Sequence, residues 1–136
     1  MIDIFKKKIH NDNFLTKVAS LLIHAAKIDE IYTDDEKKII RETLIKLGAE
    51  NSTIDEIISE AIINEQNSNQ ILDFTREIKN KSESDKIKII EALWEIIYSN
   101  KKADMYETNL MRRLCGLLYI DNKIMGNIKE KVKKKF

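Results

Sequence analysis

Apolar residues recur at helical spacing along nearly the whole chain, and no stretch shows the two-residue alternation of a strand. An Ile2/Phe5/Ile9 stripe predicts a first helix over about 2–10. Asn13 is placed to cap a second, running to about Ile28. Its Phe14, Leu15, Val18, Leu21, Leu22, Ala25 and Ala26 cover the broad arc of a buried central helix. Thr33 opens a third helix, which closes at Gly48, a residue suited to a left-handed stop. Ser52 followed by Asp55 opens a fourth, with Ile54, Ile57, Ile58, Ala61 and Ile62 at helical spacing. The polar stretch Asn64–Asn69 reads as a loop, and Ile71, Leu72, Phe74 and Ile78 mark a fifth helix reaching about Lys79. Ser82 or Ser84 caps a sixth over about 85–99, where Ile87, Ile90, Leu93, Trp94, Ile96 and Ile97 again cover a wide arc. Asp104 starts a seventh, ending near Tyr119, and Ile124, Ile128 and Val132 form the stripe of an eighth over about 123–135. The expectation is an all-α single domain over 1–136, a bundle of seven or eight helices with two central members.

The two central helices echo one another. An offset of 71 residues lays Val18 on Ile89, Leu22 on Leu93, Ile23 on Trp94 and Ala26 on Ile97. In the helices that follow, Ile40 falls on Met111, Arg41 on Arg112, Leu44 on Cys115 and Leu47 on Leu118. Periodic matches alone are weak, because any two amphipathic helices share apolar positions. Here the intervening loop and the acidic cap ending at Glu36 and Glu107 keep the same register without a gap. The chain therefore reads as a pseudo-twofold pair of helix–loop–helix units, about 14–48 and 85–119.

Composition narrows the functional classes. A chain of 136 residues, 43% hydrophobic, fits one domain with a substantial core. The absence of proline and the presence of only three glycines favour continuous helices. A net charge of +1, from 24 basic and 23 acidic side chains, gives no general attraction to nucleic acid. The charge is uneven: residues 29–60 carry ten acids and four bases, whereas 123–135 carry six lysines and one acid. A single cysteine, Cys115, excludes an internal disulfide, and its neighbours Met111, Leu114 and Leu118 make it a small core residue. No signal peptide is visible, and no apolar run approaches the ~20 residues of a membrane span, so a soluble cytoplasmic protein is expected.

The candidate chemistry lies in the two loops. The first reads Ala26-Lys27-Ile28-Asp29-Glu30-Ile31-Tyr32-Thr33-Asp34-Asp35-Glu36. The second reads Ile97-Tyr98-Ser99-Asn100-Lys101-Lys102-Ala103-Asp104-Met105-Tyr106-Glu107. With Leu93-Trp94-Glu95 before the second loop, and Met111-Arg112-Arg113-Leu114 and Leu117-Leu118 after it, the chain resembles the TerB-like tellurite-resistance family over roughly 14–120. That family carries an Ala-x-x-Asp-Gly-x-Ile/Val-x-x-x-Glu pattern between two helices. Glu30 stands where it has glycine, Asn100 replaces the second aspartate, and Lys101 replaces the second glycine. The resemblance implies a divalent-metal site at Asp29, Glu36 and Glu107, with Asn100 as a neutral fourth ligand. Clustered carboxylates are relieved by a hard, oxygen-seeking cation such as Ca²⁺ or Mg²⁺. Lys101 offers the alternative of neutralising the acids without metal.

A second reading of the same glutamates needs no ligand. Thr33-x-x-Glu36 and Asp104-x-x-Glu107 both fit the capping box or its aspartate variant. The loops are not EF-hands, since they lack the alternating oxygen ligands and the central glycine. His10 and His24 are isolated and read as surface histidines, His24 sharing a polar helix side with Lys17, Ser20 and Lys27. Tyr98 and Tyr106, flanking the second loop, read as packing residues. No phosphate loop, nucleophile elbow or zinc-protease motif occurs.

The family resemblance implies a non-enzymatic, stress-response helical module that engages a protein partner. An alternative is a peripheral protein whose basic C-terminal helix makes a weak, salt-sensitive contact with an anionic membrane through Lys129–Lys135. A small enzyme, the third class, requires a pocket around Asp29.

Overall fold

Between Ile2 and Lys27 the chain has neither glycine nor proline, and it forms one helix, α1. The structure is a computed structural model that describes the backbone of residues 2–27, 33–68, 70–99 and 105–136, and the side chains of these except 2–12 and 105–107. After α1 come α2 (Asp34–Lys46), α3 (Ile54–Asn67), the single turn α4 (Leu72–Thr75), α5 (Glu83–Ser99), α6 (Met105–Leu117) and α7 (Asn122–Lys133). No strand occurs among the described residues. The break predicted before Asn13 is absent, because capping preference is a weak local signal and neither glycine nor proline stands nearby to enforce it. The predicted loop at Asn64 is likewise helical, since α3 runs on to Asn67. The fifth helix is shorter than its apolar pattern suggested: α4 has four residues and gives way to turns before Lys79.

The two central helices are α1 and α5, which pack on each other. Val18, Leu21, Leu22 and Ile23 of α1 and Ile89, Ile90 and Leu93 of α5 are fully buried. Burying each such side chain contributes about 1.5–3 kcal/mol. Helices α3 and α4 cover α1, α7 covers α5, and α2 lies against both central helices. The bundle is thus organised around one pair, with α2, α3, α4 and α7 as covers and α6 meeting α4.

The repeat is deeper than two helices. Gly48, at φ 110°, ends α2 with the Ala49 N–H donating to the Leu44 carbonyl at 2.9 Å. Tyr119, 71 residues on and at φ 56°, ends α6 in the same way, the Ile120 N–H donating to Cys115 at 3.0 Å. This six-to-one bond around a left-handed residue satisfies carbonyls that the helix end leaves open. The offset continues into the third helices, where Ile54, Ile57 and Ala61 correspond to Met125, Ile128 and Val132, all buried. The units therefore comprise α1–α2–α3 and α5–α6–α7. In α7 Ile128 and Val132 of the predicted stripe are buried, while Ile124 is only partly covered and Met125 takes its place.

Candidate functional site

The start of α2 is built by its own sequence. Thr33 adopts the extended conformation required of a cap. Its N–H and its hydroxyl both donate to Glu36 Oε1 at 2.9 Å, and the Glu36 N–H donates back to the hydroxyl oxygen at 3.1 Å. The predicted capping box is therefore present. It uses only half of the carboxylate. Glu36 is fully buried, and its Oε2 has no hydrogen-bond partner among the described residues. The cap thus engages Oε1, and Oε2 takes no part in it.

Of the other sequence-predicted ligands, Asp29 and Asn100 lie outside the described residues, and Glu107 is placed by its backbone in the first turn of α6. The second predicted capping box, at Asp104, also lies outside them. Among the described residues no three His, Cys, Asp or Glu side chains gather as a metal cluster. Asp34 and Asp35 beside Glu36 are exposed and suit the positive end of the α2 dipole.

The basic C-terminal helix is turned partly onto its own domain. Lys131 pairs with Glu91 at 3.2 Å and Lys135 with Glu95 at 3.3 Å, while Lys129 lies 5.4 Å from the centre of the Trp94 ring. Tyr98 stacks on Trp94 with ring centres 5.9 Å apart. Burial, and then the nearby Glu130 charge, push the Tyr98 phenol above its ordinary range. No helix among the described residues is long and apolar enough to cross a membrane.

Several working residues escape the sequence pattern. Ser20, expected on a polar side, is fully buried where α1 crosses α3; its hydroxyl donates to the Thr16 carbonyl at 2.8 Å and lies 3.2 Å from that of Ala61. A helical serine can satisfy itself on its own preceding turn, so polarity does not force exposure. His24 faces Glu65 at 3.4 Å, and Lys27 bonds the other oxygen of that carboxylate at 2.9 Å. Lys86 is buried and donates to the Leu118 carbonyl at 2.9 Å. Cys115 is buried, as expected, with Sγ 2.9 Å from the Ile120 carbonyl and 3.1 Å from Asn122 Oδ1. A polar surface recess of about 410 Å³ opens between α1, the end of α3 and the segment 73–77, lined by Lys17, Asn64, Asp73 and Arg76 among others. It takes in none of the four candidate ligands.

The sequence model of the family described as Tellurite resistance protein TerB matches residues 15–130, most of the chain. No curated protein and no solved structure matches it.

Proposed function

The chain belongs to the TerB family, and from that premise we propose that it is a non-enzymatic, cytoplasmic stress-response module that engages a protein partner under the influence of a divalent cation. The observation that supports the cation is the buried Glu36 Oε2, which has no hydrogen-bond partner among the described residues. A buried acceptor left without a partner costs about 1–3 kcal/mol, and more when charged. A hard cation relieves that cost, and the chain's other donors in the family positions, Asp29, Asn100 and Glu107, are oxygen donors as well. Such a set suits Ca²⁺ or Mg²⁺ better than a softer metal. Bound there, the cation would supply fixed positive charge and no redox chemistry. Glu36 Oε1 holds the start of α2 while Oε2 is unpartnered among the described residues, so ligation through Oε2 would join helix geometry in one side chain. Because α2 lies on both α1 and α5, a pull on Glu36 reaches the two central helices together.

The membrane alternative is less well supported. Ile128 and Val132 are buried, and Lys131 and Lys135 already pair with α5. An amide NMR titration of metal-stripped protein with Ca²⁺, Mg²⁺ and Zn²⁺ tests the cation reading. Saturable shifts near 29–36 and 100–107, lost in Asp29→Asn, are expected. Unchanged spectra at millimolar cation would leave Glu36 as a cap alone and remove the metal from the proposal.

A further inference from the structure

The repeat allows one half of the chain to be read against the other, and their outer faces differ. In the first unit Arg41 bonds Asp55 at 2.7 Å, and exposed Glu42, Glu56 and Glu60 accompany them. The corresponding residues of the second unit are Arg112, Gly126, Arg113, Asn127 and Lys131. Every acid has gone, and the arginine equivalent to Arg41 has a glycine where its partner stood. Arg112 and Arg113 are exposed and make no ion pair with any described residue.

The second unit also carries, at exposed positions, residues that work against the fold's own stability. Gly116 and Gly126 lie inside α6 and α7, where glycine is a poor helix former. A Cβ at either position would meet nothing within 4 Å, so internal packing does not require them. Tyr119 takes the left-handed conformation that Gly48 takes in the first unit, and its side chain is 70% exposed. Neither the backbone nor the core gains from tyrosine there. Unfavourable local choices at exposed positions of α6, its closing turn and α7 point to a role outside the folded chain. Arginine and tyrosine are also the side chains that most often anchor interfaces.

We propose that Arg112, Arg113, Gly116, Tyr119 and Gly126 form a docking surface for an acidic segment of a partner protein. The guanidinium groups meet its carboxylates in the bidentate manner arginine favours, the glycines let its backbone approach, and Tyr119 packs over it. The inference rests on the reading of the chain as an interaction module and does not depend on the cation.

The test titrates the isotope-labelled full chain with a synthetic peptide of alternating glutamate and leucine, with a lysine–leucine peptide as control. Saturable amide shifts over 109–127 are expected for the acidic peptide alone. Affinity should fall about tenfold or more in the R112E/R113E double variant. It should also fall in Tyr119→Gly, which keeps or raises the thermal midpoint and so excludes unfolding as the cause. Failure to bind, or binding that survives R112E/R113E, overturns the proposal. Shifts confined to another surface overturn this face while leaving the module reading intact. Self-association in sedimentation that R112E/R113E abolishes would assign the face to a second copy of the chain. Arginine-dependent binding to phosphatidylserine vesicles without peptide binding would assign it to a membrane, and each of these results also overturns the proposal.

Discussion

Lys86 reaches from the first turn of α5 to the Leu118 carbonyl, 2.9 Å away, at the end of α6. The position is buried, and the corresponding residue of the first unit is the apolar Leu15. The ammonium thus satisfies a helix-end carbonyl that the turn itself leaves open, and it brings positive charge to the negative end of α6. Its methylene stem occupies core space while the head finds its acceptor.

Lys86→Met should therefore destabilise the fold by about 1.5–3 kcal/mol, the range for a hydrogen bond from a charged donor. Equilibrium urea denaturation checks this. A change below about 0.5 kcal/mol would mean that water replaces the ammonium at Leu118 without loss.

Thr33→Ala removes the hydroxyl that accepts from the Glu36 N–H and donates to Oε1. A loss of about 1 kcal/mol is expected, typical of a cap. Glu36→Gln should cost less at the cap, because its amide oxygen can still accept from Thr33. A larger loss in Glu36→Gln than in Thr33→Ala, read from thermal midpoints in chelator, would show that the buried carboxylate does more than cap.

Cys115 gives a pH dependence of known sign. Burial first, and the Asp121 charge second, raise its thiol above the ordinary 9.0. The folded chain holds the proton more tightly than the unfolded one. This contribution is complete below the ordinary thiol value and is lost as pH rises through the raised folded value. The thermal midpoint should therefore fall on the alkaline side of 9.0, and Cys115→Ala should lessen that fall. A thiol reagent should react with native protein much more slowly than with protein in denaturant.

The core was legible because helical periodicity is a long-range signal. Val18, Leu22, Ile90 and Leu93 were all placed correctly by spacing, as were the Thr33 cap and the Gly48 stop, whereas Ile87 of the same arc is only partly buried. The matching of Ile54/Ile57/Ala61 with Met125/Ile128/Val132 lies at the same offset, but differing side-chain sizes and loop polarity hide it in a residue-by-residue reading. Ser20 and Lys86 were illegible for another reason: each is polar, yet satisfied by a backbone carbonyl that only the assembled fold supplies. At the candidate site the sequence identified Glu36 and its cap, but not that the cap engages Oε1 alone and leaves Oε2 buried without a partner among the described residues.

The placement of α2 bears on how the chain holds together. It belongs to the first unit by sequence, yet it packs on the central helix of the second as well as on its own. Neither unit closes its core unaided. Severed from its fellow, the first unit would present the groove that α5 fills, and the nearest substitute is another copy of itself. Within one chain the 68–82 connection keeps α5 within reach of that groove, at an effective concentration that two separate units would have to supply in solution.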